Sequence, residues 1–184
     1  MLKKKKISFM ITLCAAMIAL QIVFERLISI STPFFRLSLT FIPRAITGLC
    51  LGIILGGVCS GIADFIGSFL FYASVNPLIT LSSIIRGALF GWLYKGKKEP
   101  PLWKTILTAG IAEFVCGGVI TTIGLIWMNG APNSLVYWGE RFLQVGFSFV
   151  LEVILLVLCN RYVFPEIRKF LNRNGFFDNA GGDK

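Results

Sequence analysis

The chain has 184 residues, 55% of them apolar and only 15% charged, with a mean hydropathy of +0.78. An average soluble domain is roughly 45–50% apolar and ~25% charged, and a membrane-crossing helix takes about 20 apolar residues. The composition therefore describes one polytopic bundle of roughly five to seven spans, with no separate soluble domain. Histidine is absent, which removes the usual general base and the commonest metal ligand; neither an enzyme nor a bound metal or cofactor is expected. The net charge of +9 reads, in a membrane protein, as cytoplasmic loops and contact with the lipid bilayer, not as a nucleic-acid surface.

Lys3 to Lys6 followed by an apolar stretch has the form of a signal peptide. Apolar character continues through Gln21-Ile22-Val23-Phe24, however, and no A-x-A site follows. The segment reads as a first span, about 7–31. It carries Ala15, Ala16 and Ala19, a small-residue patch at A-x-x-x-A spacing on a helix otherwise rich in Met, Ile, Leu and Phe. Such a groove either receives another protein's helix or packs within the bundle.

A connector with Arg36 leads to a Gly-rich second span, about 44–56, and Gly56-Gly57 is expected to turn the chain into a third, about 58–72. The fourth span is expected at about 78–94, before the break Lys95-Gly96-Lys97-Lys98-Glu99-Pro100-Pro101. Two longer spans, about 103–128 and 137–163, are separated by Asn129 to Asn133, and a basic tail, 164–184, is expected to fray. The fold class is thus an all-α integral membrane protein, a single six-transmembrane-helix bundle. Five cysteines stand singly in apolar runs and read as small core residues.

Six spans place both termini on one side. Thirteen basic residues (Lys3 to Lys6, Lys95, Lys97, Lys98, Lys104, Arg161, Arg168, Lys169, Arg173 and Lys184) share it, and the positive-inside rule makes it cytoplasmic. The other five, Arg26, Arg36, Arg44, Arg86 and Arg141, are all arginines within spans or toward the far face. Each costs at least ~2.5–3.5 kcal/mol at mid-helix unless partnered. Arg26 and Arg44 read as paired with nearby carboxylates or turned to headgroups. Arg36, Arg86 and Arg141 read as lining a cavity for an anionic small molecule, because planar guanidinium groups bind carboxylates in bidentate fashion.

Asp64, the lone acid of the third span, either accepts hydrogen bonds from a heterocycle or ties helices together. Thr80 and Ser82-Ser83 either offer hydroxyls to a ligand or cap a helix. Trp127 and Trp138 belong to an interfacial belt or stack on a flat ligand. Gly91 to Lys97 has P-loop spacing, but Lys98 replaces the Mg²⁺-binding Ser or Thr, so the chain does not hydrolyse ATP.

Arg36-Leu37-Ser38-Leu39-Thr40-Phe41-Ile42-Pro43, Gly48, Gly52, Gly61-Ile62-Ala63-Asp64-Phe65-Ile66-Gly67 and Thr80 to Gly91 together resemble the substrate-capture subunits of energy-coupling factor (ECF) vitamin transporters, most of all the folate-specific branch. The resemblance continues through Thr122 and Glu140-Arg141-Phe142 and covers nearly the whole chain. It implies capture of folate from outside the cell membrane and docking on a transmembrane coupling protein carried by two ATPases. It also implies coupling through Ala15 and Ala19, with Arg36, Arg86 and Arg141 as the folate-type arginines. Gly52-Ile53 departs from the usual glycine–proline, and Ala73 to Thr80 from a Pro-Gly-Phe-Thr type of connector. Pantothenate or another anionic vitamin would also satisfy the arginines, and a scaffold with internally paired arginines is the competing class.

Overall fold

The structure is a computed structural model that describes residues 2–26, 30–31, 36–37, 39–72, 74–94, 100–130 and 133–173. Helix α1 is Leu2–Arg26, and a two-residue antiparallel pair, β1 Ile30–Ser31 and β2 Arg36–Leu37, follows it. Next come α2 Phe41–Tyr72 and α3 Pro77–Leu93. A continuous rod comprises α4 Leu102–Gly110, a π-helical segment Ile111–Ile120 and α5 Thr121–Asn129. Helices α6 Leu135–Tyr162 and α7 Phe164–Arg173 complete the fold. The first helix thus ends at Arg26, short of the expected 31, and the β pair is a small exception to an all-helical chain.

The turn expected at Gly56-Gly57 lies instead at Gly52. Both expected turn residues are helical, whereas Gly52 has φ 77° and ψ −164°, a conformation open essentially to glycine alone. The helix folds back there. A Cβ on Gly56 would stand 3.6 Å from the Gly48 Cα, while eight residues of straight helix would separate them by about 12 Å. Arg44 and Asp64, twenty residues apart, accordingly both reach α3, at Ser83 and Thr80. Limbs 41–51 and 53–72 therefore form a hairpin around α3. Gly56 serves that packing: a Cβ on it would come within 3.0 Å of the Gly87 carbonyl oxygen.

Asn76 starts α3, its side chain accepting from the Leu78 N–H at 3.1 Å and donating to the Gly124 carbonyl at 2.7 Å. The cap expected of Thr80 or Ser82-Ser83 is therefore supplied by Asn76. At the other end of α3, Lys104 Nζ donates to the Trp92 and Leu93 carbonyls at 2.8 and 3.0 Å, satisfying carbonyls that a helix end leaves open. The tail expected to fray is helical over 164–173, because Phe164 inserts into the core and meets Tyr94 edge-on at 5.2 Å. Residues 174–184 lie outside the described residues.

The apolar core, including Ala45, Leu49, Phe90, Leu93, Ala109, Leu156 and Phe164, fills the Gly52 end of the bundle. By length and composition, Leu102–Met128 and Leu135–Tyr162 suffice to cross a membrane, and the equally apolar Phe41–Phe71 is long enough too but folds back at Gly52. Large apolar side chains such as Ile54, Phe69, Leu143 and Phe147 face outward, as contact with lipid tails requires. The chain is a multi-pass membrane protein.

Candidate functional site

Beyond Phe90, toward the Asn76 end, the bundle encloses a polar cavity of about 590 Å³. Every long helix contributes a charge to it. The lining holds Glu25 and Arg26 of α1, Arg44 and Asp64 of α2, and Arg86 of α3. Glu113 of the π-helical segment and Arg141 and Glu152 of α6 complete the set. Four guanidinium groups therefore interleave with four carboxylates among the described residues.

The helix geometry explains how they meet. Glu25 and Arg26 end α1 beside the two limbs of α2. Arg44 Nη2 lies 3.4 Å from Glu25 Oε2 and 3.2 Å from Ser83 Oγ, while Arg26 Nη2 lies 2.9 Å from Ser68 Oγ and 3.8 Å from Asp64 Oδ1. Asp64 Oδ2 accepts from Thr80 Oγ1 at 2.8 Å. Ser83 and Arg86 share one face of α3, three residues apart, so Arg86 extends the same wall and reaches Glu113 Oε1 at 3.5 Å. A Cβ on Gly117 would collide with the Arg86 guanidinium; only glycine leaves that cation its place.

The π-helical winding has a polar role. Thr121 Oγ1 donates to the Cys116 carbonyl, five residues back, at 2.8 Å, and Ser82 Oγ donates to the same oxygen at 2.9 Å. Arg141 reaches the next carbonyl, of Gly117, at 3.4 Å, besides Thr122 Oγ1 at 3.3 Å and Gln144 Oε1 at 3.1 Å. Wide helical turns of this kind are frequent at functional sites. Here the turn brings backbone acceptors to both α3 and α6.

The ion pairs, at 3.4–3.9 Å, are longer than the 2.7–2.9 Å of tight charge-assisted hydrogen bonds. Four lining atoms are buried without a hydrogen-bond partner: Arg44 Nε, Asp64 Oδ1, Arg86 Nε and Glu152 Oε1. Each such atom costs about 1–3 kcal/mol. Two donors and two acceptors left open in one cavity form a set that a ligand of mixed hydrogen-bonding character completes.

Of the residues singled out in the sequence, Asp64, Arg86 and Arg141 line this cavity. Thr80 stands behind Asp64 and holds it. Arg36 is on β2, and its side chain lies outside the described residues. Trp127 is 71% exposed and does not line the cavity, so a stacking role for it is not supported. The other tryptophan considered, Trp138, donates from Nε1 to Asn133 Oδ1 at 3.1 Å and stacks on Phe142. Ala15, Ala16 and Ala19 form an exposed face of α1, away from the lining. Glu113, Glu152 and Gln144, not singled out in the sequence, also line it.

A family model described as "ECF transporter, substrate-specific component" matches residues 9–165. The curated protein "Folate transporter FolT" of Clostridium novyi (strain NT) is 29% identical over 153 residues, covering 83% of this chain and 87% of that protein. A solved structure titled "Crystal structure of FolT bound with folic acid" superposes with a TM-score of 0.75 at 29% identity, covering 82% of this chain and 92% of that one. The family match takes in all eight charged lining residues, from Glu25 to Glu152, and the chain belongs to the family of substrate-specific components of ECF transporters.

Proposed function

We propose that this chain is the high-affinity, membrane-embedded capture subunit of an ECF-type ABC transporter for folate, taking the vitamin from outside and passing it to a transmembrane coupling protein carried by two ATPases. The observation that carries the reading is the cavity itself. A volume of about 590 Å³ falls within the ~300–1,000 Å³ of small-molecule sites, and its four arginines and four carboxylates call for a ligand with both anionic oxygens and N–H donors. Folate has a dicarboxylate tail and a heterocycle edged with N–H groups. Pantothenate has one carboxylate and no such edge. The similarity to a folate transporter and to a folic acid-bound structure supports the same choice.

In this reading the chain crosses the cell membrane six times, the two limbs of α2 counting as separate arms, and both termini are cytoplasmic. Segregation of the lysines to one side supports that orientation. Arg141 and Arg36 stand toward the outside and meet the tail carboxylates, Arg86 and Asp64 line the ligand's flank, and Thr80 fixes Asp64. Ala15, Ala16 and Ala19 form the face offered to the coupling protein. Calorimetry of the detergent-purified chain with folic acid, pantothenate and riboflavin tests the cargo. A one-to-one folic acid complex with no response to the other two is expected; tight binding of another vitamin overturns the cargo.

A further inference from the structure

The cysteines stand singly in the sequence, yet two of them meet in space. Cys14 of α1 and Cys59 of the second α2 limb are free thiols, and they lie side by side across the α1–α2 interface. Neither lines the cavity. The register of both helices accounts for the meeting. Cys14 stands two turns before Gln21, whose Nε2 donates to Thr47 Oγ1 at 3.1 Å, and one turn further on Glu25 holds Arg44; Cys14 therefore belongs to the face of α1 turned toward α2. On the second limb, Cys59, Ala63 and Gly67 recur at four-residue spacing, all buried. A Cβ on Gly67 would stand 3.1 Å from Arg26 Nε, which identifies this stripe as the one facing α1. Its small side chains let the two backbones approach closely, as a disulfide requires. Both helices run toward the cavity, where Arg26 joins them through Ser68 and Asp64; the thiol pair joins them farther from it.

We infer that Cys14 and Cys59 form a redox-modifiable clasp, a thiol pair that an apolar small-molecule disulfide arriving through the lipid converts to an internal disulfide. Ile11 and Ala15, on either side of Cys14, are exposed on the outer surface of α1 and open the pair to the bilayer. Cys14 is half-buried and Cys59 buried, so the Cys14 sulfur attacks first. The S–S bond of the reagent breaks, and one half leaves as a thiol carrying the Cys14 proton. The Cys59 sulfur then displaces the other half, which leaves as a second thiol with the Cys59 proton. The protein loses two electrons and the reagent gains them. The new bond closes a loop containing the end of α1, the β pair and the first limb of α2, and it fastens α1 to the second limb without touching a lining residue. It therefore adds stability and leaves ligand binding as it was. The inference does not depend on which vitamin the cavity holds.

The test treats the full-length purified chain with dipyridyl disulfide and reads intact mass, mapped peptides, melting temperature and folic acid affinity. Peptide mapping is expected to find Cys14 joined to Cys59, with two hydrogens lost and no pyridyl group retained on either. The melting temperature is expected to rise by about 5 °C and to return on treatment with dithiothreitol, with folic acid affinity within twofold of the untreated chain. Cys14→Ser and Cys59→Ser abolish both the link and the rise, and Cys14 in the Cys59→Ser variant keeps a pyridyl group. Should a serine variant fail to fold, Cys14→Ala and Cys59→Ala serve the same comparison with a small apolar side chain. A wild-type Cys14 that does not react, pyridyl groups kept on both cysteines, or a link that leaves the melting temperature unchanged overturns the inference. A link that weakens folic acid binding more than twofold overturns the separation of clasp from cavity. Wild type that forms the link but does not bind folic acid overturns the folate reading and leaves the clasp standing.

Discussion

At Gly117 the absence of a side chain is the functional feature. A Cβ there would run into the Arg86 guanidinium, and the surrounding site is already crowded by Glu113 and by Arg141 on the Gly117 carbonyl. Gly117→Ala is therefore expected to displace Arg86 from its place on the cavity wall and weaken folic acid binding at least tenfold, about 1.4 kcal/mol, with the chain still purifying folded; calorimetry at unchanged elution volume reads both. An affinity within twofold of wild type would mean that Arg86 does not touch the ligand. Glu25 gives a second residue-scale expectation. It occupies an Arg44 nitrogen at 3.4 Å, so Glu25→Gln frees a buried guanidinium beside the cavity. Breaking a buried pair leaves an uncompensated charge, and the expected result is a lower melting temperature for the empty protein, with folic acid recovering more of it than in wild type. Equal shifts on ligand addition in both proteins would remove Arg44 from the binding wall. Asp64, Arg86 and Arg141 were legible because a charge inside an apolar run is costly and so declares itself. Glu113 and Glu152 carry the same cost, but a carboxylate that neighbours arginines reads as their counter-ion, and only their meeting in space shows one of them left open.

The α2 hairpin shows what element boundaries depend on. Gly52, Gly56 and Gly57 all break a helical pattern on paper, and composition cannot rank them. In space they divide the work. Gly52 takes the backbone conformation that reverses the chain, while Gly56 and Gly57 remain helical and bring the second limb against α3, near the Gly87 and Ile84 carbonyls. The π-helical segment was equally hidden, because its extra residue per turn is stabilised by Ser82 and Arg141 from other helices. The limits of α3, of the rod Leu102–Asn129 and of α6 fall within two residues of the apolar runs read in the sequence, since helix limits of this kind depend on local composition. Substitutions at the two kinds of glycine should differ accordingly. Gly52→Ala meets nothing within 4 Å, so its cost is backbone strain alone, about 1–3 kcal/mol. Gly87→Ala drives a methyl into the Gly56 carbonyl and Ser60, and forcing two helices apart costs that much or more. Thermal unfolding in detergent is expected to show both destabilised, with Gly87→Ala also lowering folic acid affinity because α3 carries Ser83 and Arg86. If Gly52→Ala melted with wild type, the reversal would not depend on its positive φ.

Across the whole molecule, polar and apolar work are kept apart. The core packs the Gly52 end, the charged cavity fills the Asn76 end, and Phe90 belongs to both. Around them lies a sheath of exposed apolar side chains, so the charges are enclosed by protein and not by lipid. Helix α1 joins two regions of this plan. Its last turn supplies Glu25 and Arg26 to the cavity, while Ala15, Ala16 and Ala19, two to three turns earlier, are exposed and contribute nothing to the lining. Small side chains on an outward helix face let another helix approach closely in a bilayer, where packing rather than hydrophobicity drives association. If this face is the seat of the coupling protein, binding and delivery are separable. Ala15→Trp and Ala19→Trp are expected to leave folic acid affinity within twofold of wild type, since no lining residue moves, and to abolish both copurification with the coupling protein and its ATPases and folate uptake by cells. Loss of affinity together with uptake would show that the alanine face supports the cavity instead. Retained uptake would move the docking surface elsewhere on the sheath.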